Sequence, residues 1–234
     1  MTDPTAPFTA TAPTATLTRT WTCVLFDLDG TLTDSAPGIT ASLADTFTAL
    51  GRPVPDADGL LAYVGPPLLD SLKSFAGMSD LEALDALGMY RAVAQGRDIT
   101  DNAVFPGIVG LLRGLRDAGI PLAVATSKPE SRAVRILEHF GLAEYFDVIA
   151  GASEDEVRSA KSDVVEYALD RLRDLDVDLS QTVLVGDRAY DVEGAAANGV
   201  PTILVEWGYG SPAEAGGAMA IVHSMDQLRT LLLG

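Results

Sequence analysis

The sequence predicts an α/β protein, a three-layer parallel sheet with a helical segment inserted after its first strand. Three observations carry this. From Val24 onward short β-branched runs alternate with helical patterns, the order that builds a parallel sheet covered on both faces. The alternation stops between Ser35 and Phe105, where no convincing strand is found. Polar residues collect at the ends of the apolar runs, where an open parallel sheet binds its ligands.

The elements follow in order. The first 20 residues hold eight Thr, four Ala and three Pro and are expected to be a disordered tail, too poor in apolar residues to order itself. They lack the basic start and apolar core of a secretory signal. "TCVLF" is the first strand. Residues 36 to 104 are expected to form the helical insertion, with amphipathic patterns at Ile39 to Leu50 and Leu81 to Ala94. Between them "YVGPPLLDSLKSF" begins as a loop and re-enters a helix. The chain returns at "VFPG", so residues 21–35 and 105–234 make the core and 36–104 a cap. Further strands are "PLAVATS", "FDVIAG", "TVLVGD" and "PTILVE". Helical patterns run from Gly107 to Ala118, Pro129 to Phe140, Ser162 to Leu175, Tyr190 to Asn198 and Met225 to Leu233. Gly119, Gly141 and Gly199 each follow a helix, as C-terminal caps do.

Composition narrows the function. The chain has 234 residues, 47% hydrophobic and 21% charged, with 33 acidic against 16 basic residues and a formal charge of −17. That surface repels nucleic acid and anionic membrane, so an anionic substrate needs a local positive site. Cys23 is the single cysteine, so no intramolecular disulfide forms and a reducing, cytoplasmic compartment is expected. No apolar run approaches a membrane span.

The stretch "TCVLFDLDGTLTDS" raises the chemical question. It ends an apolar run with Asp27 and Asp29, which share a face if the strand stays extended. Two neighbouring carboxylates repel unless a cation or a proton lies between them. Asp187, after the fourth strand, and Asp191, one helical turn on, add hard oxygens suited to Mg²⁺. Any one Asp is explained as a helix or turn cap, but polar groups on three strand ends are not. Thr126 and Ser127 end the second strand, and Lys161 lies near a helix start. Lysine is scarce, only Lys73, Lys128 and Lys161, and a lysine kept among arginines suits a compact point charge.

In that order "DLDGT", Thr126 after an apolar strand, Lys161 and "GDRAYD" resemble the four motifs of the haloacid dehalogenase superfamily. The resemblance covers nearly the whole chain after about residue 20. It implies a Rossmann-like core with a helical cap. "VGPPL", "GASEDEVRSAK" and "VGDRAYDVEGAAANGV" look most like the phosphoglycolate-phosphatase-like branch. The resemblance implies Asp27 as nucleophile and Asp29 as general acid/base. It implies Thr126 and Lys161 as phosphoryl-binding groups, Gly30, Thr31 and Ser127 beside the substrate, and Asp187 as a Mg²⁺ ligand with Asp191 in support. The side chain of Asp27 and the backbone carbonyl of Asp29 complete the implied metal set. Gly65, Pro66, Lys73 and Arg91 are the cap residues expected to contribute specificity. One departure stands out: where branch members often have glycine after the Asp, this chain has Glu156, placing negative charge near the entrance.

The implied chemistry is self-consistent. A carboxylate is already ionised at neutral pH and needs no base. Mg²⁺ and Lys161 offset its repulsion of a phosphate, and attack gives an aspartyl phosphate. The leaving alkoxide needs a proton and the later water must lose one, two tasks for Asp29. The expected partner is a small phosphorylated metabolite, phosphoglycolate- or nucleotide-like, with Mg²⁺ as cofactor. Oligomeric state is not legible.

Rival classes fare worse. No Lys follows Gly, so the P-loop GxxxxGK[ST] is absent. "GYGSPA" from Gly208 mimics a dinucleotide fingerprint, but no strand is read after it, so it reads as a turn. Cys23 precedes the strand core without basic neighbours after it, unlike a cysteine phosphatase. His139 and His223 are isolated and read as surface or packing residues. Two alternatives stay open: a phosphotransferase of the same fold, either a sugar phosphomutase or a protein-tyrosine phosphorylating activity, and a non-catalytic phospho-ligand binding protein.

Overall fold

The computed structural model describes residues 21–95 and 97–234; the stretch 1–20 expected to be a tail lies outside them. The strands are β1 (Cys23–Phe26), β2 (Thr33–Asp34), β3 (Ala103–Val104), β4 (Leu122–Pro129), β5 (Val148–Ala152), β6 (Thr182–Gly186), β7 (Thr202–Val205) and β8 (Ala220–Val222). The helices are α1 (Ala36–Ala49), α2 (Ala57–Leu61), α3 (Leu68–Ser74), α4 (Asp80–Ala94), α5 (Arg97–Thr100), α6 (Ile108–Asp117), α7 (Glu130–His139), α8 (Lys161–Asp174), α9 (Ala189–Ala196) and α10 (Met225–Leu233). Six strands form one parallel sheet in the order β5-β4-β1-β6-β7-β8.

All four residues of β1 are fully buried, because alternation sends them to two different layers. Val24 and Phe26 join the cluster under α6, α7 and α10, with Leu112, Ile136 and Leu228. Cys23 and Leu25 join the opposite one under α8 and α9, with Val165, Leu169 and Ala195. Burying side chains such as Phe26 or Leu25 contributes roughly 1.5–3 kcal/mol each. That is why the middle strand reads as an unbroken apolar run. A third cluster lies within the inserted stretch, where Leu43, Phe47, Tyr63, Leu72 and Leu87 pack together. Its rings meet edge to face, Phe47 on Tyr63 at 5.9 Å and Tyr63 on Phe75 at 5.3 Å.

The structure corrects the sequence reading in three places. The inserted stretch does contain strand: β3 pairs antiparallel with β2, Asp34 opposite Ala103 and Thr33 opposite Val104. Two-residue strands carry no periodicity to read. The core sheet has a sixth strand, β8, pairing with β7; three residues at a sheet edge also lack a pattern. A strand therefore does follow "GYGSPA", contrary to expectation. Gly119, Gly141 and Gly199 have positive φ, in keeping with their reading as helix ends. Among the described residues no helix is long and apolar enough to cross a membrane.

Candidate active site

β1 lies between β4 and β6, so its C-terminal end faces chain from both. The Asp27 N–H extends the ladder to Val185 O at 2.9 Å. Beyond it the strand stops. The N–H groups of Thr31, Leu32 and Thr33 all turn back to Leu28 O, and Gly30 N–H donates to Thr33 O. Gly30 sits at φ +85°, and a Cβ there would lie 2.3 Å from Asp187 Oδ2. Only glycine fits both conditions. The coil re-aims Asp29, so the two aspartates do not share one partner.

Asp27 meets Lys161. The Lys161 ammonium lies 2.7 Å from Asp27 Oδ1 and 2.7 Å from Asp191 Oδ1, and donates to Ala125 O at 2.9 Å. Lys161 is the first residue of α8, a place where the helix dipole disfavours a cation. The two carboxylates offset that cost and outweigh burial, so its pKa is raised. Asp191, in the first turn of α9, also accepts from the N–H groups of Asp187 and Arg188 at 3.1 and 3.0 Å. It is both a helix cap and the anchor of Lys161. Asp187 Oδ2 accepts from Tyr209 N–H at 2.7 Å, and Thr31 Oγ1 lies 3.5 Å from its Oδ1.

Asp27, Asp187 and Asp191 are all buried, with one oxygen from each within 4.8 Å of the others. Burial pushes Asp27 up to about 6, Lys161 opposing and Asp191 adding to it. Asp187 is raised well above the ordinary range, by burial first and then by Asp191 and Asp27. Lys161 pairs with Asp27 and Asp191 but not with Asp187, so the three buried acids outnumber the cation among them. A hard oxygen set with that excess suits a divalent cation.

Asp29 meets a different lysine. Its Oδ2 lies 2.9 Å from Lys128 Nζ in a buried pair, and its Oδ1 is buried without a hydrogen-bond partner among the described residues. Lys128 N–H donates to Thr126 Oγ1 at 3.2 Å, within the part of β4 where its register against β5 shifts, between Thr126 and Pro129. Asp29, Ser127, Lys128 and Arg132 line a cleft of about 60 Å³ whose other wall is Tyr63, Gly65, Pro66 and Tyr90. Ser127 Oγ is buried there without a hydrogen-bond partner among the described residues.

Of the four inserted residues expected at the substrate, Gly65 and Pro66 line the cleft and the other two do not. Lys73 pairs with Asp70 and Asp80, at 3.8 and 3.2 Å, on the flank of α3. Arg91 reaches the β5–α8 connection, donating to Glu154 O at 3.0 Å and pairing with Glu156. Glu156 therefore does not face an open entrance. It stands at φ +63°, the backbone that glycine adopts freely and that costs another residue about 1–2 kcal/mol, and Arg91 holds it. Burial raises its pKa against the pull of Arg91.

Several residues of this region escaped the sequence reading. Lys128 was visible only as one of three lysines. Arg188 donates to Val64 O and pairs with Glu214 at 2.9 Å, and nothing in "GDRAYD" marks it as bridging to the insertion. Tyr209 lies in "GYGSPA", whose glycines pack on Asp187: a Cβ at Gly208 would lie 2.4 Å from Asp187 Oδ2.

Comparison with known proteins points to one family. The family profile described as Haloacid dehalogenase-like hydrolase matches residues 24–205. The tyrosine-protein kinase PtkA of Mycobacterium tuberculosis is 49% identical over 187 residues, covering 80% of this chain and 62% of PtkA. The chain thus spans less than two thirds of that relative's length. The phosphoglycolate phosphatase of Cupriavidus necator is 36% identical over 93% of this chain and 96% of its own. Among solved structures, a predicted phosphatase from Clostridium acetobutylicum superimposes with a TM-score of 0.86 at 42% identity, covering 91% of this chain and 98% of that one.

Proposed function

This chain belongs to the haloacid dehalogenase-like hydrolase family, and from that premise we propose that it is a Mg²⁺-dependent phosphatase of small phosphomonoesters. The observation that carries the reading is the buried Asp27–Lys161–Asp191 group with Asp187 beside it. Asp27, Asp187 and the Asp29 carbonyl would hold the cation, which when bound supplies positive charge against the phosphate oxygens. Lys161 orients Asp27 and brings its own charge to the phosphoryl group. Asp27 attacks phosphorus as the ester oxygen departs, leaving an acyl phosphate on its carboxylate. Asp29, fixed through Oδ2 by Lys128 and open at Oδ1, gives the departing alkoxide a proton. It then takes one from the water that splits the acyl phosphate. Gly30, Thr31, Thr126 and Ser127 cradle the phosphoryl group.

Residues 36 to 104 act as a lid over this rim, an arrangement that shields the site from bulk solvent while the phosphoryl group is transferred to Asp27. The substrate is phosphoglycolate- or nucleotide-like, and the setting cytoplasmic. The test is release of inorganic phosphate from p-nitrophenyl phosphate with Mg²⁺. A chelator should abolish release, and activity undiminished in chelator sinks the metal role.

The identity to PtkA favours a second reading, transfer of the phosphoryl group to a protein tyrosine through the same Asp27. Steady release of phosphate without an acceptor separates the two. A non-catalytic binding role is disfavoured by the complete buried charge set, and the same assay decides it.

A further inference from the structure

The segment after β7 does something the phosphatase reading leaves unused. Its backbone is pressed against Asp187, since a Cβ at Gly210 would lie 2.0 Å from Asp187 O and the Tyr209 N–H holds Asp187 Oδ2. The Tyr209 ring carries that position outward. Its hydroxyl accepts from Ser35 N–H at 2.7 Å and Ala36 N–H at 2.9 Å, and donates to Asp34 Oδ1 at 2.8 Å. Asp34 ends β2, Ser35 precedes α1, and Ala36 is the first residue of α1. Ser35 makes no side-chain cap to its own helix, and the cap comes from a residue 174 positions away. Burial raises the phenol's pKa, so it keeps the proton it gives to Asp34.

We propose that Tyr209 is a positioning residue, a strut that fixes the direction in which α1 leaves the core from the same turn that holds Asp187. The inference rests on the reading of the inserted helices as a lid over a phosphatase site. One rigid ring then links the carboxylate proposed for the cation to the pivot of the lid. Its two bonds to backbone N–H groups favour the arrangement seen here, in which the cleft is formed. Losing them lowers the fraction of molecules ready to bind and so weakens apparent affinity without touching the reacting groups.

The test is Tyr209→Phe in the full chain, which keeps the ring and the N–H to Asp187. The amides of Ser35 and Ala36 should exchange with solvent roughly tenfold faster or more. With p-nitrophenyl phosphate KM should rise by roughly three- to tenfold per lost bond, while kcat and the Mg²⁺ concentration for half activation stay within about twofold. Wild-type exchange and KM overturn the strut. So does a shift in the Mg²⁺ requirement with unchanged exchange, which would confine Tyr209 to Asp187. If the parent chain releases no phosphate, it is the phosphatase reading that fails, and the exchange of the two amides still decides the strut. Should Tyr209→Phe not fold, Asp34→Ala removes the acceptor of the phenol proton instead and should move exchange and KM in the same direction.

Discussion

The rim around Asp27 and the seam between the inserted helices and the core both hold ion pairs, and they differ in burial. At the rim the side chains of Lys161, Asp27 and Asp191 are 4%, 3% and 1% exposed, and Lys161 and Asp191 are each held from more than one side. At the seam Arg91 and Glu156 are 26% and 14% exposed, and the contacts reach backbone carbonyls, two of them in loops: Arg188 to Val64 O, Arg91 to Glu154 O, and Arg132 to Arg91 O of α4 at 2.6 Å. A buried charge that loses its partner is strongly destabilising, whereas a pair with more access to water contributes less. The rim is therefore the more costly of the two to disturb, which accords with the lid proposed above.

The sharpest way to break this contrast is at the centre of the rim. Asp27→Asn should cut phosphate release by about 10⁴-fold or more, because an amide cannot form the acyl phosphate; turnover that survives would reassign the nucleophile. Asp29→Asn should cost on the order of 10²–10⁴ in rate, least for aryl phosphates, whose leaving group needs little protonation. The phosphorylated chain should then accumulate and be seen as added mass. A wild-type rate on an alkyl phosphate would remove Asp29 from proton transfer.

Lys161→Met strips Asp27 and Asp191 of the cation they share. It should destabilise the fold by about 3–5 kcal/mol, read as a lower melting temperature that Mg²⁺ partly restores. An unshifted melting curve would mean the carboxylates do not need the charge. pH probes the same cluster more gently. Asp27 stands at about 6 because of burial, and its ionised form is the one that binds a cation. Mg²⁺ affinity should thus fall as pH drops through 6, by about tenfold per unit below it. Calorimetry giving one affinity from pH 5 to 8 contradicts that environment. The smallest effect belongs to the seam: Arg91→Ala should change kcat/KM for p-nitrophenyl phosphate by only about two- to fivefold, the reach of a pair with access to water. A loss as large as that of Asp29→Asn would place Arg91 at the rim after all.

The same difference decides what could be read from the chain. Asp27, Asp187, Thr126 and Lys161 stand at the ends of apolar runs or the start of a helix, where local pattern alone puts them on the ligand side of a parallel sheet. The five long strands were legible for the same reason. The seam is made by pairs distant in sequence, such as Arg188 with Val64 and Tyr209 with Ala36, and no local period marks them. Lys73 misled because scarcity of lysine says nothing about direction; its place on α3 lets it settle on Asp70 and Asp80. Glu156 was noticed as unusual for its position, but its backbone conformation and its partner on α4 belong only to the folded chain.

The ribbon of β2 and β3 sets entry and exit of the inserted helices side by side, Asp34 opposite Ala103. Paired residues in such a ladder lie about 4.5–5.5 Å apart, so the chain leaves the core and returns to it through one narrow doorway. Grafting becomes possible there. A two-residue turn such as Asn-Gly joining Asp34 to Ala103 would close the ribbon into a hairpin, and an unrelated helical module with adjacent ends could be spliced in its place. Both of the core's apolar clusters lie outside the replaced stretch. Such a shortened chain should keep a cooperative melting transition, and loss of that transition would show that the core depends on what the doorway admits.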